Sequence, residues 1–169
     1  MKTSHTKKIV LIALLISMEI VLTRLFKIEF VPYSRLSLGF IPIALMGIFF
    51  GPVYAGIGAA VADFLGVLLF AGGFPFPGLT LSAFFTGIIY GLLLHKQPIK
   101  FWRICAAAYI VTVGLQLALD TYWLTFLFDY GYIGMIPLRV LRTAIMLPVQ
   151  IICIRFVAGE RFRKILSLR

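Results

Sequence analysis

Long apolar runs follow one another along the whole chain, separated by short polar breaks or breaks rich in proline and glycine. A helix that crosses the hydrocarbon core of a bilayer needs about 20 mostly apolar residues. We therefore predict an all-α, polytopic membrane protein, a single domain over residues 1–169 that forms a bundle of six transmembrane helices. The predicted spans are 8–26, 38–50, 53–71, 79–95, 104–128 and 135–158.

The composition fits a membrane solvent and leaves no room for a separate soluble domain. Of the 169 residues, 62% are hydrophobic and 13% are charged, and the mean hydropathy is +1.05. A soluble domain carries about 25% charged residues, so this chain has too little polar surface to coat itself in water. We expect a multi-pass protein whose surroundings are the lipid bilayer.

The net charge of +10 is explained by where the lysines and arginines lie. With six spans both termini share one side, which holds ten basic residues, whereas the loops of the other side hold only Lys27 and Arg35. Cytoplasmic loops carry the excess of lysine and arginine, so we predict that both termini are cytoplasmic. The charge then needs no acidic partner, and we expect no nucleic acid to bind.

Glycine is concentrated in the first half of the chain. Of the 15 glycines, 11 lie between Gly39 and Gly91. Small residues let helix backbones approach closely in lipid, so the second, third and fourth helices are predicted to form the tight part of the bundle. Natural contact points are Gly47, Gly51, Gly56 and Gly66.

Seven charged residues fall inside or at the edge of the predicted spans. They are Glu19, Arg24, Asp63, Asp120, Arg139, Arg142 and Arg155. A charge in hydrocarbon costs at least about 2.5 kcal/mol on insertion scales, and such residues usually mark function. Arg155 lies close enough to the cytoplasmic end to reach the interface, which leaves the others as candidates for a site.

Four arginines gather near one outer mouth of the predicted bundle. Arg24 ends the first helix, and Arg35 lies in the first outer loop. Arg139 and Arg142 share a face near the outer end of the last helix because they are three residues apart. Arginine binds carboxylates and phosphates with paired hydrogen bonds, so the cluster predicts an anion-binding vestibule. The alternative is that these arginines anchor the topology and pair with acidic residues of the spans.

Aromatic rings lie at the same level, at Phe74, Phe76, Tyr122 and Trp123. Beside fixed cations, flat rings suit a planar, anionic aromatic ligand, and the alternative is an aromatic belt at the membrane interface. Two interpretations also stay open for Asp63, in the middle of the third helix. It is either a structural acid or an acceptor for the N–H groups of a heterocycle.

The sequence contains no catalytic set. G-x-S-x-G, H-E-x-x-H and P-loop motifs do not occur, and both histidines lie at the predicted cytoplasmic edge. We therefore expect a protein that is not an enzyme and that needs no cofactor or metal.

Four short runs together resemble a known family. They are Arg35-Leu-Ser-Leu-Gly-Phe-Ile-Pro42, Gly47-Ile-Phe-Phe-Gly-Pro52, Ala62-Asp63-Phe-Leu-Gly66 and Phe74-Pro-Phe-Pro-Gly-Leu-Thr80-Leu-Ser82-Ala. The combination is similar to the S components of energy-coupling factor (ECF) vitamin transporters of bacterial cell membranes, and the last run looks most like the folate-specific branch. The resemblance adds Thr80 and Ser82 to the candidate binding residues.

The resemblance implies a six-helix bundle that binds one vitamin near the outer face and has no ATPase of its own. Such a subunit docks onto a membrane coupling protein that carries two cytoplasmic ATPases. The family has two alanines four residues apart for docking on the first helix, and the matching pair here is Ala13 and Ser17.

Folate fits the candidate residues, because it joins a flat pterin and a benzoyl ring to a glutamate tail with two carboxylates. A hydroxymethylpyrimidine, pyridoxine-like or riboflavin ligand lacks that tail and leaves some of the arginines without a partner. The alternatives are therefore an S component for one of those vitamins, or a membrane protein that only scaffolds or senses.

Overall fold

A computed structural model describes residues 5–25, 27–31, 34–70, 76–96, 100–123 and 132–158, and it is a helix bundle with one short β-hairpin. The helices in these residues are α1 (His5–Arg24), α2 (Phe40–Phe50), α3 (Pro52–Phe70), α4 (Pro77–Leu94), α5 (Phe101–Trp123) and α6 (Tyr132–Val157). The hairpin strands are β1 (Lys27–Val31) and β2 (Ser34–Ser37). The fold is that of an all-α, polytopic membrane protein.

Not every helix is long and apolar enough to cross a bilayer unaided. Within the described residues four segments meet that requirement, namely Pro52–Phe70, Pro77–Leu94, Phe101–Trp123 and Arg139–Val157. With 11 residues, α2 is only about 16 Å long, and α1 carries two lysines, one glutamate and one arginine. The count of six spans and the cytoplasmic position of both termini therefore stay predictions.

The glycine-rich helices α2, α3 and α4 pack with their backbones in close contact, as the sequence predicts. A Cβ atom at Gly47 on α2 would lie 2.8 Å from the backbone nitrogen of Gly91 on α4. One at Gly87 would run into the carbonyl group of Ala55 on α3. Side chains at these positions would push the helices apart, so the small residues set the spacing of this half of the bundle.

Helix α5 changes its hydrogen bonding halfway along. Its first part, Phe101–Tyr109, is a regular α-helix, whereas Ile110–Leu119 is π-helical. At the end of that segment the backbone N–H of Asp120 donates to the carbonyl of Leu115, five residues back. Such wide turns are rare and recur at functional sites, and nothing in the sequence analysis predicts this one.

The polar break after α1, predicted only as an outer loop, is a β-hairpin. Its strands are antiparallel, with Lys27 opposite Ser37 and Glu29 opposite Arg35, and an irregularity follows Glu29. Strand β1 packs on α1 and β2 packs on α6. The hairpin therefore bridges the first and last helices at the end where α1 finishes.

Several helix ends differ from the predicted ones. Helix α4 begins at Pro77, two residues earlier than predicted, because proline is well suited to the first turn of a helix. Helix α6 begins at Tyr132 instead of residue 135. The predicted fifth span runs to residue 128, and its last five residues lie outside the described part of the chain.

Candidate ligand-binding site

A cavity of about 310 Å³ lies where α1 ends and α6 begins, and all six helices and β2 contribute to its wall. Its wall includes residues near the ends of α1 and α5 and near the starts of α2, α4 and α6. The cavity therefore lies at the end of the bundle opposite the start of α1. Six charged residues line it: Arg24, Arg139, Arg142, Glu19, Asp63 and Asp120.

One wall is built around a pair between α1 and α3. The Nη2 atom of Arg24 lies 3.4 Å from Oδ1 of Asp63 and 3.4 Å from the Asp63 carbonyl oxygen. The hydroxyl of Thr80 on α4 donates to the other carboxylate oxygen, Oδ2, at 2.9 Å. Gly66 makes room for the arginine, since a Cβ there would lie 2.8 Å from Arg24 Nε. Both oxygens of Asp63 are thus engaged by the protein.

The opposite wall carries the arginines of α6. Arg139 is 5% exposed, and its Nη1 donates to the hydroxyl of Thr121 at 2.9 Å and to the backbone carbonyl of Gln116 at 3.3 Å. Both acceptors lie in or just after the π-helical part of α5. Arg142 lines the cavity about one turn further along α6. Asp120 interacts electrostatically with both arginines.

The aromatic residues lie beside the cavity rather than in its wall. The rings of Phe76 and Trp123 meet edge to face with centroids 5.9 Å apart, and the rings of Trp123 and Tyr122 do so at 5.4 Å. None of these three residues lines the cavity. Among the described residues, the aromatic side chain in the cavity wall is that of Phe40. Tyr122 is 50% exposed, which suits a ring at the membrane interface.

The structure brings five of the candidate binding residues together around one cavity, namely Arg24, Asp63, Ser82, Arg139 and Arg142. Thr80 stands behind them and holds Asp63. Phe74 lies outside the described residues, and so does the side chain of Arg35, whose backbone belongs to β2.

Sequence reasoning missed several residues of the cavity wall. Glu19 and Asp120 are noted in the sequence as charges inside spans, but the predicted binding residues do not include them. Thr86 and Gln116 have no charge to draw attention, yet both line the cavity. Their helical spacing supplies a signal: Thr86 lies one turn beyond Ser82, and Gln116 lies one turn before Asp120.

The candidate docking pair lies on the surface of α1. Ala13 and Ser17 are both exposed, and the Ser17 hydroxyl donates to the Ala13 carbonyl oxygen at 2.9 Å. Large apolar side chains surround the pair, with Ile9, Val10 and Leu14 all more than half exposed. In the described part of the chain, no three His, Cys, Asp or Glu side chains are grouped so that they could hold a metal ion.

Comparisons with known proteins agree on one family. The family model described as "ECF transporter, substrate-specific component" matches residues 7–158. A folate transporter FolT of Clostridium novyi (strain NT) is 39% identical over 142 residues, which cover 84% of this chain and 82% of that protein. One from Leuconostoc mesenteroides subsp. mesenteroides is 28% identical over 152 residues, covering 86% and 81%.

A solved structure has the same fold. It is described as the crystal structure of FolT bound with folic acid, and it superposes with a TM-score of 0.80 at 38% sequence identity. The match covers 87% of this chain and 88% of that one. This chain is a multi-pass membrane protein and belongs to the family of substrate-specific components of ECF transporters.

Proposed function

We propose that this chain is the folate-binding subunit of an ECF importer. The observation that carries the proposal is a cavity lined by three arginines and three carboxylic acids in a chain that shares its fold with a FolT bound to folic acid. The curated relatives are named as folate transporters. Folate carries a ring with N–H donors at one end and two carboxylates at the other, so the acids of the cavity can accept from the ring and the arginines can bind the carboxylates.

Arg139 and Arg142 are the groups we assign to the glutamate tail. They line the same wall, and their spacing of three residues puts both guanidinium groups on one side of α6. Each can donate two parallel hydrogen bonds to a carboxylate. Asp120 balances part of their charge, which offsets the cost of holding the buried Arg139 and the half-buried Arg142 close together.

The remaining candidate residues have supporting roles. Arg24, Asp63 and Thr80 form one connected wall, and Ser82 lines the cavity between the walls. The edge-to-face rings of Phe76, Trp123 and Tyr122 join the start of α4 to the end of α5. We assign these rings to the entrance of the cavity, and Phe74 and Arg35 keep their predicted role as binding residues.

Transport needs further proteins in this proposal. The chain itself has no nucleotide-binding motif, so it captures the vitamin without catalysing a reaction. A membrane coupling protein with two cytoplasmic ATPases supplies the energy. The exposed Ala13 and Ser17 on α1 let another helix approach closely, and they are the proposed docking position.

Binding of radiolabelled folic acid to the purified protein tests the proposal. We expect saturable binding that unlabelled folic acid displaces and that riboflavin or hydroxymethylpyrimidine does not. The protein alone in liposomes should neither hydrolyse ATP nor accumulate folic acid. Displacement by riboflavin or hydroxymethylpyrimidine would identify another vitamin as the ligand, and absence of binding to all three would favour the scaffold or sensor.

A further inference from the structure

Glu19 is a buried acid of the cavity wall in which one carboxylate oxygen has no protein partner among the described residues. It is 5% exposed, and its Oε2 atom has no hydrogen-bond partner among the described residues. It lines the cavity, five residues before Arg24 on α1. A buried acceptor without a donor costs free energy, so such an atom beside an open cavity points to a donor that arrives with the ligand.

Asp63, unlike Glu19, has a protein partner for each of its carboxylate oxygens. Asp63 is the acid in the middle of α3, yet Arg24 engages its Oδ1 and Thr80 engages its Oδ2. It is therefore committed to holding the wall together. The charged neighbours of Glu19 are the two members of this pair, Asp63 and Arg24, and Arg24 is turned toward Asp63.

The N-terminal end of α2 packs closely against this part of α1. A Cβ atom at Gly39 would overlap Cγ2 of Thr23 and would lie 3.4 Å from Glu19 Oε1, so the missing side chain lets the start of α2 lie beside the Glu19 carboxyl group. Thr23, one turn along α1, donates its hydroxyl to the backbone carbonyl of Glu19 and leaves the carboxyl group alone. Phe40 and Ile43 line the cavity from α2 and add apolar surface.

Asp120 also has an oxygen, Oδ1, without a hydrogen-bond partner among the described residues. Its setting differs, since it interacts with Arg139 and Arg142 and so serves the arginine wall. Acidic and basic side chains are therefore distributed differently over the two walls of the cavity. The α6 wall presents two arginines, whereas the α1 wall presents an acid whose nearest arginine is already engaged.

We propose that Glu19 is the specificity-determining acceptor for the N–H donors of the ligand's heteroaromatic ring, a role that rests on the proposed folate-binding function. A pterin carries an amino group beside a ring N–H, and a carboxyl group can accept from both. Folate then lies with its ring toward α1 and its glutamate tail toward α6. Asp63 positions Arg24 and does not read the ring.

The test compares two ligands in the full-length protein. The dissociation constants of folic acid and of its 2-desamino-2-methyl analogue, which lacks the amino donor, are measured for wild type and for Glu19→Gln. The amide keeps the shape but replaces one acceptor oxygen by a donor. We expect folic acid to bind roughly tenfold to a hundredfold more weakly to the variant, whereas the affinity for the analogue should change by less than about threefold.

Asp63→Asn is the matched control, because it makes the same chemical change in the acid that we assign to the wall. It should weaken both ligands by the same factor. An equal loss of both ligands in Glu19→Gln, or unchanged folic acid binding, would overturn the role of Glu19. Failure of the wild-type protein to bind folic acid would instead overturn the proposed function, and the ring assignment with it.

A folding readout keeps the comparison interpretable. The thermal unfolding midpoint of ligand-free Glu19→Gln should match that of wild type, since no donor in the described residues bonds to Oε2. If the amide does not fold, Glu19→Asp withdraws the carboxyl group by one methylene. That variant should lose preference for folic acid over the analogue, and an unchanged preference would overturn the proposal.

Discussion

The two halves of the bundle are held together by different means. Helices α2, α3 and α4 touch through glycine, so that the backbone of one helix lies directly on that of the next, as at Gly47 and Gly91. Helix α5 packs apolar side chains such as Ala107 and Val111 into the core and, unlike those contacts through glycine, adds buried polar side chains. The hydroxyl groups of Tyr90 on α4 and Thr112 on α5 donate to Oε1 of Gln150 on α6, at 3.1 Å and 2.9 Å.

This difference shows how a membrane protein can separate rigidity from chemistry. Close glycine contacts gain van der Waals energy and fix the distance between helices, but they offer a ligand nothing to recognise. Polar contacts between helices contribute modestly to stability, with an average of about 0.6 kcal/mol measured in lipid. They do allow arginines and acids to be held inside the bundle. The cavity lies at the seam, with both kinds of helix in its wall.

The largest effect is expected when one methyl group is added where two helix backbones meet at glycine. In Gly91→Ala the new Cβ would overlap the backbone of Pro52, which cannot rotate away as a side chain can. Overpacking of this kind costs up to about 3 kcal/mol. We expect the thermal unfolding midpoint in detergent to fall by roughly ten degrees.

Gly114→Ala is the matched control, since Gly114 is exposed on α5 and the nearest atom to its added Cβ would be 4.0 Å away. Alanine favours a helix over glycine by about 1 kcal/mol, so this variant should be as stable as wild type or more so. Equal losses in both variants would mean that glycine acts through the backbone conformation and not through helix contacts.

The sequence predicts the glycine half better than the polar half, for a physical reason. A glycine contact depends on residue size alone, and size is visible in the sequence, so the close packing of α2, α3 and α4 is confirmed. The π-helical turns of Ile110–Leu119 depend on what each carbonyl meets in the folded chain. The carbonyl of Gln116 accepts from Arg139, 23 residues later, and no local pattern announces that bond.

The site divides in the same way. The spacing of Arg139 and Arg142 is a local property that can be read from the sequence, and both residues line the cavity. Whether Asp63 or Glu19 has a vacant oxygen depends on Arg24 and Thr80, which come from two other helices. The hairpin between residues 27 and 37 was missed because its eight paired residues follow a long helix, and the polar–apolar alternation of Lys27-Ile28-Glu29-Phe30 is only four residues long.

A smaller change removes one arginine from the polar wall. In Arg142→Ala the glutamate tail of folate should lose the charge-assisted contact that we propose, and such a contact is typically worth about 1.5–3 kcal/mol. We expect folic acid to bind roughly tenfold to a hundredfold more weakly, while pteroic acid, which has no glutamate, changes little. The measurement is a pair of binding isotherms on each protein.

Arg155→Ala provides the control for this loss. It removes an arginine from the same helix, where the guanidinium lies 5.2 Å from the ring of Phe101 at the other end of the bundle. Folic acid affinity should be unchanged there. If Arg142→Ala and Arg155→Ala behave alike in folded protein, the α6 arginines anchor the topology, and the main physical support for folate is lost.

The smallest expected effect comes from the buried amide that joins α4, α5 and α6. Gln150→Leu removes the acceptor that Tyr90 and Thr112 share. Thr112 keeps its bond to the carbonyl of Ala108, and Gln150 Nε2 has no partner among the described residues to lose. Only the Tyr90 hydroxyl is left unpaired, so we expect a loss of about 1 kcal/mol and a change of less than threefold in folic acid affinity.

A double-mutant cycle with Tyr90→Phe separates the hydrogen bond from the packing. Because the phenylalanine has no hydroxyl to satisfy, Gln150→Leu should cost less in that background than in wild type, by about 0.6 kcal/mol if this bond is typical of those measured in lipid. A loss in Gln150→Leu as large as that in Gly91→Ala would contradict the comparison. The hydrogen bonds of the polar half would then stabilise the bundle as strongly as the glycine contacts do. Their main role could not be to hold the polar residues of the cavity in place.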